Sequence, residues 1–198
     1  MKPVTIDPRL HDAVIFDFDS LVAGGRAGID DLALESTVTL ARKLREAEVA
    51  TVIYSRARQC EQLLTAAGVA ELFTMRFDGA AGGAPGLPAE PDPSDLLAAA
   101  GKLGVALQRS VVVDAADAGV QAAAKGGFAV VIGVDGHTDA DELRRCGADI
   151  VVADLGKYCR DEREQLAVIE ARMTPQDLAA YHQLWDDLGN IIVLGGGE

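Results

Sequence analysis

Six short apolar runs, each separated from the next by a stretch of helical periodicity, are the feature that most narrows what this chain can fold into. Runs of three to six apolar residues bounded by turn signals read as strands buried on both faces, and strands alternating with helices build a parallel sheet. The expected strands are Ala13 to Phe16, Ala50 to Tyr54, Leu72 to Phe77, Val111 to Val113, Phe128 to Ile132 and Ile150 to Val152. Between them lie expected helices Asp31 to Ala47, Gln59 to Ala67, Ser94 to Leu103 with Ser94 as N-cap, Val120 to Lys125 and Ala140 to Arg145. The fold class is therefore α/β, a doubly wound parallel sheet. Residues 1–155 form its core domain, and residues 156–198 a helical extension in which Leu178, Tyr181, Trp185 and Leu188 share a face, ending in the linker-like run Ile191 to Gly197.

A length of 198 residues suits one such domain with some chain to spare. The interior must be aliphatic, because 49% of residues are hydrophobic and only 5% aromatic. A formal charge of −13 opposes nucleic acid and anionic membrane as partners, since their phosphates would be repelled at long range. A cation-dependent site is easier to reconcile with that charge. Cys60, Cys146 and Cys159 are odd in number and far apart, as are His11, His137 and His182, which suits reduced thiols and argues against a zinc site. No apolar segment reaches the roughly 20 residues of a membrane helix, and the N-terminus lacks a signal-peptide pattern. A cytoplasmic location is the expectation. Residues 174–198 are the expected surface for a homo-oligomer contact or a partner domain.

In an open parallel sheet, ligands bind beyond the carboxyl ends of the strands where the strand order reverses. The sequence marks three such ends with polar groups. Asp17 and Asp19 follow the first strand, Ser55 ends the second, and Asp114 ends the fourth. Carboxylates two residues apart can face the same way, and a third joins them if the first and fourth strands are neighbours. A cluster of that kind needs a cation, and hard oxygen donors suit Mg²⁺. The bland alternative is that each Asp caps the next helix, which for Asp114 alone is the simpler account. A dinucleotide site is disfavoured, because Gly24, Gly25 and Gly28 do not have the Gly-x-Gly-x-x-Gly spacing.

From about His11 to Asp154 the chain resembles the haloacid-dehalogenase superfamily, especially its β-phosphoglucomutase-like branch. Val14-Ile-Phe-Asp17-Phe-Asp19 is similar to the first motif, Ser55 to the second, and Asp114 with Gly119-Val-Gln-Ala122 to the fourth. Val4-Thr-Ile-Asp-Pro-Arg-Leu-His-Asp-Ala-Val, Leu87-Pro-Ala-Glu-Pro, Val111-Val-Val-Asp and Gly127-Phe-Ala-Val-Val-Ile-Gly-Val-Asp resemble more closely the N-terminal haloacid-dehalogenase-like domain of actinobacterial trehalose-6-phosphate phosphatases. In those enzymes a second, C-terminal domain carries the phosphatase chemistry. The resemblance implies a haloacid-dehalogenase-like Rossmannoid core. It also implies phosphomonoester hydrolysis, with Asp17 as nucleophile and Asp19 as acid and base. Ser55 would bind the phosphoryl group, and Asp17, Asp114 and the Asp19 carbonyl would hold Mg²⁺.

Several positions depart from that pattern. The motif's lysine, which balances the nucleophile's charge, falls on Glu90 when counted without gaps. Ser20 stands where the motif has Gly, and Ala115 where it often has a second acid. Asp117 is a candidate replacement for that acid, and Arg56, Arg58 or Lys102 for the lysine. Only 35 residues separate Asp19 from Ser55 and 34 separate Ser55 from Glu90, which leaves no room for an inserted cap domain. The expectation is a hydrolase of low activity, with a catalytically degenerate regulatory or assembly domain of trehalose-6-phosphate metabolism as the alternative.

Overall fold

The protein is described here by a computed structural model covering residues 4–18, 31–55, 60–78, 92–136, 138–153, 155 and 192–194. Six strands form one parallel sheet: β2 (Ala13–Asp17), β3 (Ala50–Ser55), β4 (Met75–Asp78), β5 (Ser110–Asp114), β6 (Val130–Val134) and β7 (Ile150–Val152). Their spatial order is β4-β3-β2-β5-β6-β7. The chain lays β3 and β4 to one side of β2 and then crosses back to lay β5 on the other. The reversal therefore falls between β2 and β5, the place where such sheets bind ligands.

Alternation along each strand sorts the apolar residues into two cores. Val14 and Phe16, with Ile53, Val111 and Val113, pack under α1 (Asp31–Glu46) and α2 (Cys60–Ala66). Ile15, Val52, Val112 and Val131 pack under α3 (Ser94–Leu103), α4 (Asp117–Gly126) and α5 (Ala140–Arg145). The central strands are fully buried, so each β-branched side chain contributes on the order of 1.5–3 kcal/mol of burial. Among the described residues no cap domain is inserted and no helix is long and apolar enough to cross a membrane. Among the described residues Cys60 and Cys146 form no disulfide.

The elements differ from the sequence expectations in detail. Residues 70–72 form a 3-10 turn, so the third sheet strand starts at Met75, not Leu72. Gly127, with φ +75°, ends α4, and the Ala129 N–H is taken by the carbonyls of Leu107 and Ser110, which delays β6 to Val130. Ser94 is the first residue of α3 and not its cap; Pro93 holds that position, while the Asp92 carboxylate accepts the Ser94 N–H at 2.9 Å and its hydroxyl at 2.6 Å. Residues 192–194 were expected in a linker. They form instead a strand, β8 (Ile192–Leu194), antiparallel to β1 (Val4–Ile6), a strand with no sequence expectation at all. The expected helical face of Leu178, Tyr181, Trp185 and Leu188 lies outside the described residues.

The turn between β1 and β2 holds a buried polar knot. Asp7 and His11 are both nearly inaccessible, and the Asp7 N–H donates to His11 Nδ1 at 3.0 Å, which leaves the neutral ring's proton on Nε2. Burial holds the imidazole below its usual range despite the neighbouring Asp7 carboxylate; the Arg109 guanidinium, paired with Asp12, acts in the same direction as burial. The Arg9 side chain, hydrogen-bonded to Asp7, keeps that carboxyl low. Groups with depressed folded-state values bind fewer protons folded than unfolded, so stability is complete above the unfolded value and falls with pH below it. Urea melts should show one loss as pH drops below about 6.5, from His11, and a second below about 3.9, from Asp7 and from Asp12, which the Arg109 hydrogen bond also holds low. His11→Asn, which keeps an acceptor near Nδ1 but does not titrate, should erase the first loss; an unchanged loss in that variant would assign it elsewhere.

Candidate active site at the carboxyl edge of the sheet

The polar residues that end β2, β3 and β5 all lie along one rim of the sheet. Asp17 is the last residue of β2 and Asp114 the last of β5, and the register pairs Phe16 with Val113. One further step along each strand brings Asp17 level with Asp114, on strands about 4.8 Å apart. Both continue the alternation of Ile15 and Val112, so both belong to the face covered by α3 and α4. Both are buried, at 9% and 4% of full exposure. The condition on which the third carboxylate depended, adjacency of the two strands, is met.

Asp114 is fixed by what lies above it. Its Oδ1 accepts the Ala116 N–H at 2.8 Å, a loop-closing bond of the kind the bland account expected. Its Oδ2 lies over Gly119 in the first turn of α4, where an added Cβ would come within 1.8 Å. Only a residue without a side chain lets the carboxylate lie there. Asp117 starts α4, is exposed, and bonds its own neighbour, the Ala118 N–H, at 2.8 Å. Ala115 points into the other core.

Ser55 is 1% exposed and ends β3, one residue beyond the Asp17 and Tyr54 pair. It continues the alternation of Ile53, which places it on the α1 and α2 side of the edge that Asp17 and Asp114 share. The three thus meet at the rim and not on one face. Lys102 does not supply the missing cation. It sits in the last turn of α3, which runs back from the carboxyl edge toward the start of β5 and carries Lys102 about 12 Å along the axis from Ser94. Asp19, Glu90, Arg56 and Arg58 lie outside the described residues.

Two residues of this edge escaped the sequence reading. Gly119 was noted only as part of a motif, and Tyr54 only as the end of a strand. Tyr54 is the register partner of Asp17 and is 5% exposed, and its hydroxyl donates to Asp95 Oδ2 at 3.0 Å. A tyrosine at the end of an otherwise aliphatic strand was the available signal, because a buried phenol needs a partner. Among the described residues no three His, Cys, Asp or Glu side chains group into a metal cage. Asp17 and Asp114 offer two adjacent carboxylates, a donor type that suits Mg²⁺.

No family model matches the chain. In sequence it is 43% identical over 161 residues to a trehalose-phosphate phosphatase of Mycobacterium leprae, a match covering 78% of this chain and 34% of that protein. It is 37% identical over 157 residues to the trehalose-phosphate phosphatase of Mycobacterium tuberculosis, covering 79% of this chain and 28% of the relative. An uncharacterized glycosyl hydrolase of Mycobacterium tuberculosis is 44% identical over 121 residues, which are 61% of this chain and 9% of that protein. The matched region thus spans about a third or less of the length of these relatives. Among solved structures, a haloacid dehalogenase-like protein of unknown function from Agrobacterium tumefaciens aligns with a TM-score of 0.56 at 20% identity, covering 82% of this chain and 99% of that one. A family hydrolase from Deinococcus radiodurans with bound phosphate and sodium aligns at 0.55 and 22% identity, covering 74% and 93%. A β-phosphoglucomutase from Clostridium difficile aligns at 0.57 and 15% identity, covering 79% and 96%.

Proposed function

We propose, from the premise that the chain has the haloacid-dehalogenase-like fold and is homologous to part of the mycobacterial trehalose-phosphate phosphatases, that its carboxyl edge is a phosphomonoester hydrolase site of low, Mg²⁺-dependent activity. The observation that carries the proposal is the pairing of Phe16 with Val113, which puts the next residues, Asp17 and Asp114, two buried carboxylates, at the ends of the strands that flank the topological reversal.

The residue roles in this proposal are those that the resemblance implies. An Asp17 oxygen attacks phosphorus, the bond from phosphorus to the ester oxygen breaks, and Asp19 delivers a proton to the departing alkoxide. Water then attacks the acyl phosphate. Asp19 takes a proton from that water, the bond from phosphorus to the Asp17 oxygen breaks, and inorganic phosphate leaves with Asp17 restored. The Ser55 hydroxyl donates to a phosphoryl oxygen at the rim. Asp17, Asp114 and the Asp19 carbonyl would hold Mg²⁺, which when bound neutralises charge on the phosphoryl oxygens. Without it, the adjacent carboxylates would repel an anionic substrate.

Low activity follows from Glu90 in the place of a cation. Opposite charges about 4 Å apart attract by roughly 4 kcal/mol at an effective dielectric of ~20, and about 1.4 kcal/mol is a factor of ten in rate. Loss of that attraction is therefore worth up to roughly three decades, before any added repulsion. Hydrolysis of p-nitrophenyl phosphate and trehalose-6-phosphate should be slow, should require Mg²⁺, and should rise at least tenfold in Glu90→Lys. No gain in that variant would show that charge at position 90 does not limit the rate.

A second reading, a non-catalytic regulatory or assembly domain, is favoured by one observation. A similar segment makes up only 9% of a protein that carries an uncharacterized glycosyl hydrolase name, so a like unit occurs within a much longer chain of a different name. Absence of both turnover and Mg²⁺ binding would select it.

A further inference from the structure

We infer that Tyr54 is a positioning residue for Asp17, acting through a hydrogen bond that pins the first turn of α3 to the acidic edge. The inference rests on the proposed hydrolase site and deepens it. Tyr54 and Asp17 are Cα partners in the parallel pair of β2 and β3, and partners in a parallel sheet send their side chains to the same face. Tyr54 is accordingly buried in the core that contains Leu96, Ala99 and Ala100 of α3, with its ring under the helix. Its hydroxyl reaches past them to Asp95 Oδ2 at 3.0 Å, a bond between residues 41 apart in sequence. Asp95 lies in the first turn of α3, and Asp92 ties down the entrance to that turn through Ser94.

The consequence is local and directional. The helix that roofs Asp17 is held at its site-facing end by a charge-assisted bond, not by apolar contact alone, and such bonds are about twice as strong as neutral ones. An apolar contact permits sliding, whereas a hydrogen bond fixes a distance. Tyr54 thus sets the height of α3 over the carboxylate that attacks phosphorus. A phenylalanine would keep the ring's packing and lose the bond to Asp95. Displacement of about 1 Å at a reacting group is enough to cost rate.

The test compares Tyr54→Phe, Asp95→Ala, Asp95→Asn and the double variant Tyr54→Phe/Asp95→Ala in the full chain. Two quantities are read for each, the kcat for p-nitrophenyl phosphate with Mg²⁺ and the affinity for Mg²⁺ with beryllofluoride, a mimic of the phosphorylated aspartate. Tyr54→Phe and Asp95→Ala should each lower kcat and beryllofluoride affinity by roughly three- to tenfold, with KM little changed. The double variant should lose no more than either alone, because one bond is shared. Asp95→Asn, whose amide oxygen still accepts the phenol, should recover most of the loss. If the natural chain binds and turns over while Tyr54→Phe matches it in both, the positioning role is overturned and the hydrolase reading stands. If the natural chain neither turns over nor binds Mg²⁺ with beryllofluoride, both fall together.

Discussion

Asp17→Asn should abolish phosphatase turnover while leaving the fold at least as stable as before. An amide oxygen is too weak a nucleophile to form an acyl phosphate, so no alternative route of comparable speed is open at this edge. Nucleophile replacements of this kind remove several decades of rate; here the rate should drop to that of buffer with Mg²⁺ alone. Stability should move the other way. Asp17 and Asp114 are level with each other on adjacent strands and buried, so neutralising one relieves repulsion between like charges. Thermal melts should show a transition unchanged or raised by a few degrees. Residual turnover above buffer in Asp17→Asn would exclude the aspartyl-phosphate route.

The second large effect is steric. A methyl group added at Gly119 would lie 1.8 Å from Asp114 Oδ2 and 2.4 Å from its Cγ. Neither atom belongs to a long side chain that can swing away, and Oδ1 is held by the Ala116 N–H. Helix propensity alone would make Gly119→Ala favourable by about 1 kcal/mol, but a forced clash in a packed region costs about 1–3 kcal/mol. The clash should win, with net destabilisation and Mg²⁺ affinity reduced by about 10- to 100-fold as Asp114 rotates off the edge. Calorimetric titration with Mg²⁺ measures the second effect directly. The double variant Gly119→Ala/Asp114→Ala should regain stability without regaining Mg²⁺ binding. A Gly119→Ala protein that binds Mg²⁺ normally would show that Asp114 does not ligate from its present position.

Much of this edge could be read from the sequence, because strand ends in a parallel sheet are announced by where an apolar run stops and a polar residue begins. Asp17, Ser55 and Asp114 are each the first polar residue after such a run, and each is the last residue of its strand. Register was out of reach. Nothing in the order of residues states that β5 lies beside β2, and it is that pairing which joins Asp114 to Asp17. Boundaries slipped where hydrogen bonding and hydrophobicity disagree, as at Leu72, which is apolar yet lies in a 3-10 turn, and at Phe128, whose ring packs in the core before the strand begins. Tyr54 was hidden because its role depends on an acceptor 41 residues away. The pair β1 and β8 was hidden for a related reason: strands of three residues show no alternation to recognise, and each has its partner at the far end of the chain.

That small pair also has a mechanical consequence. Val4 lies opposite Leu194 and Ile6 opposite Ile192, so the first and last described strands present their outer ends side by side. Tension applied through Val4 and Leu194 in opposite directions loads three residue pairs one after another, as a zipper is loaded, and not all at once in shear. The two-stranded ribbon should open at low force before the parallel sheet bears any load. Such tension would be released in this ribbon first, and the separate six-stranded sheet that carries Asp17 would keep its geometry while the ends part.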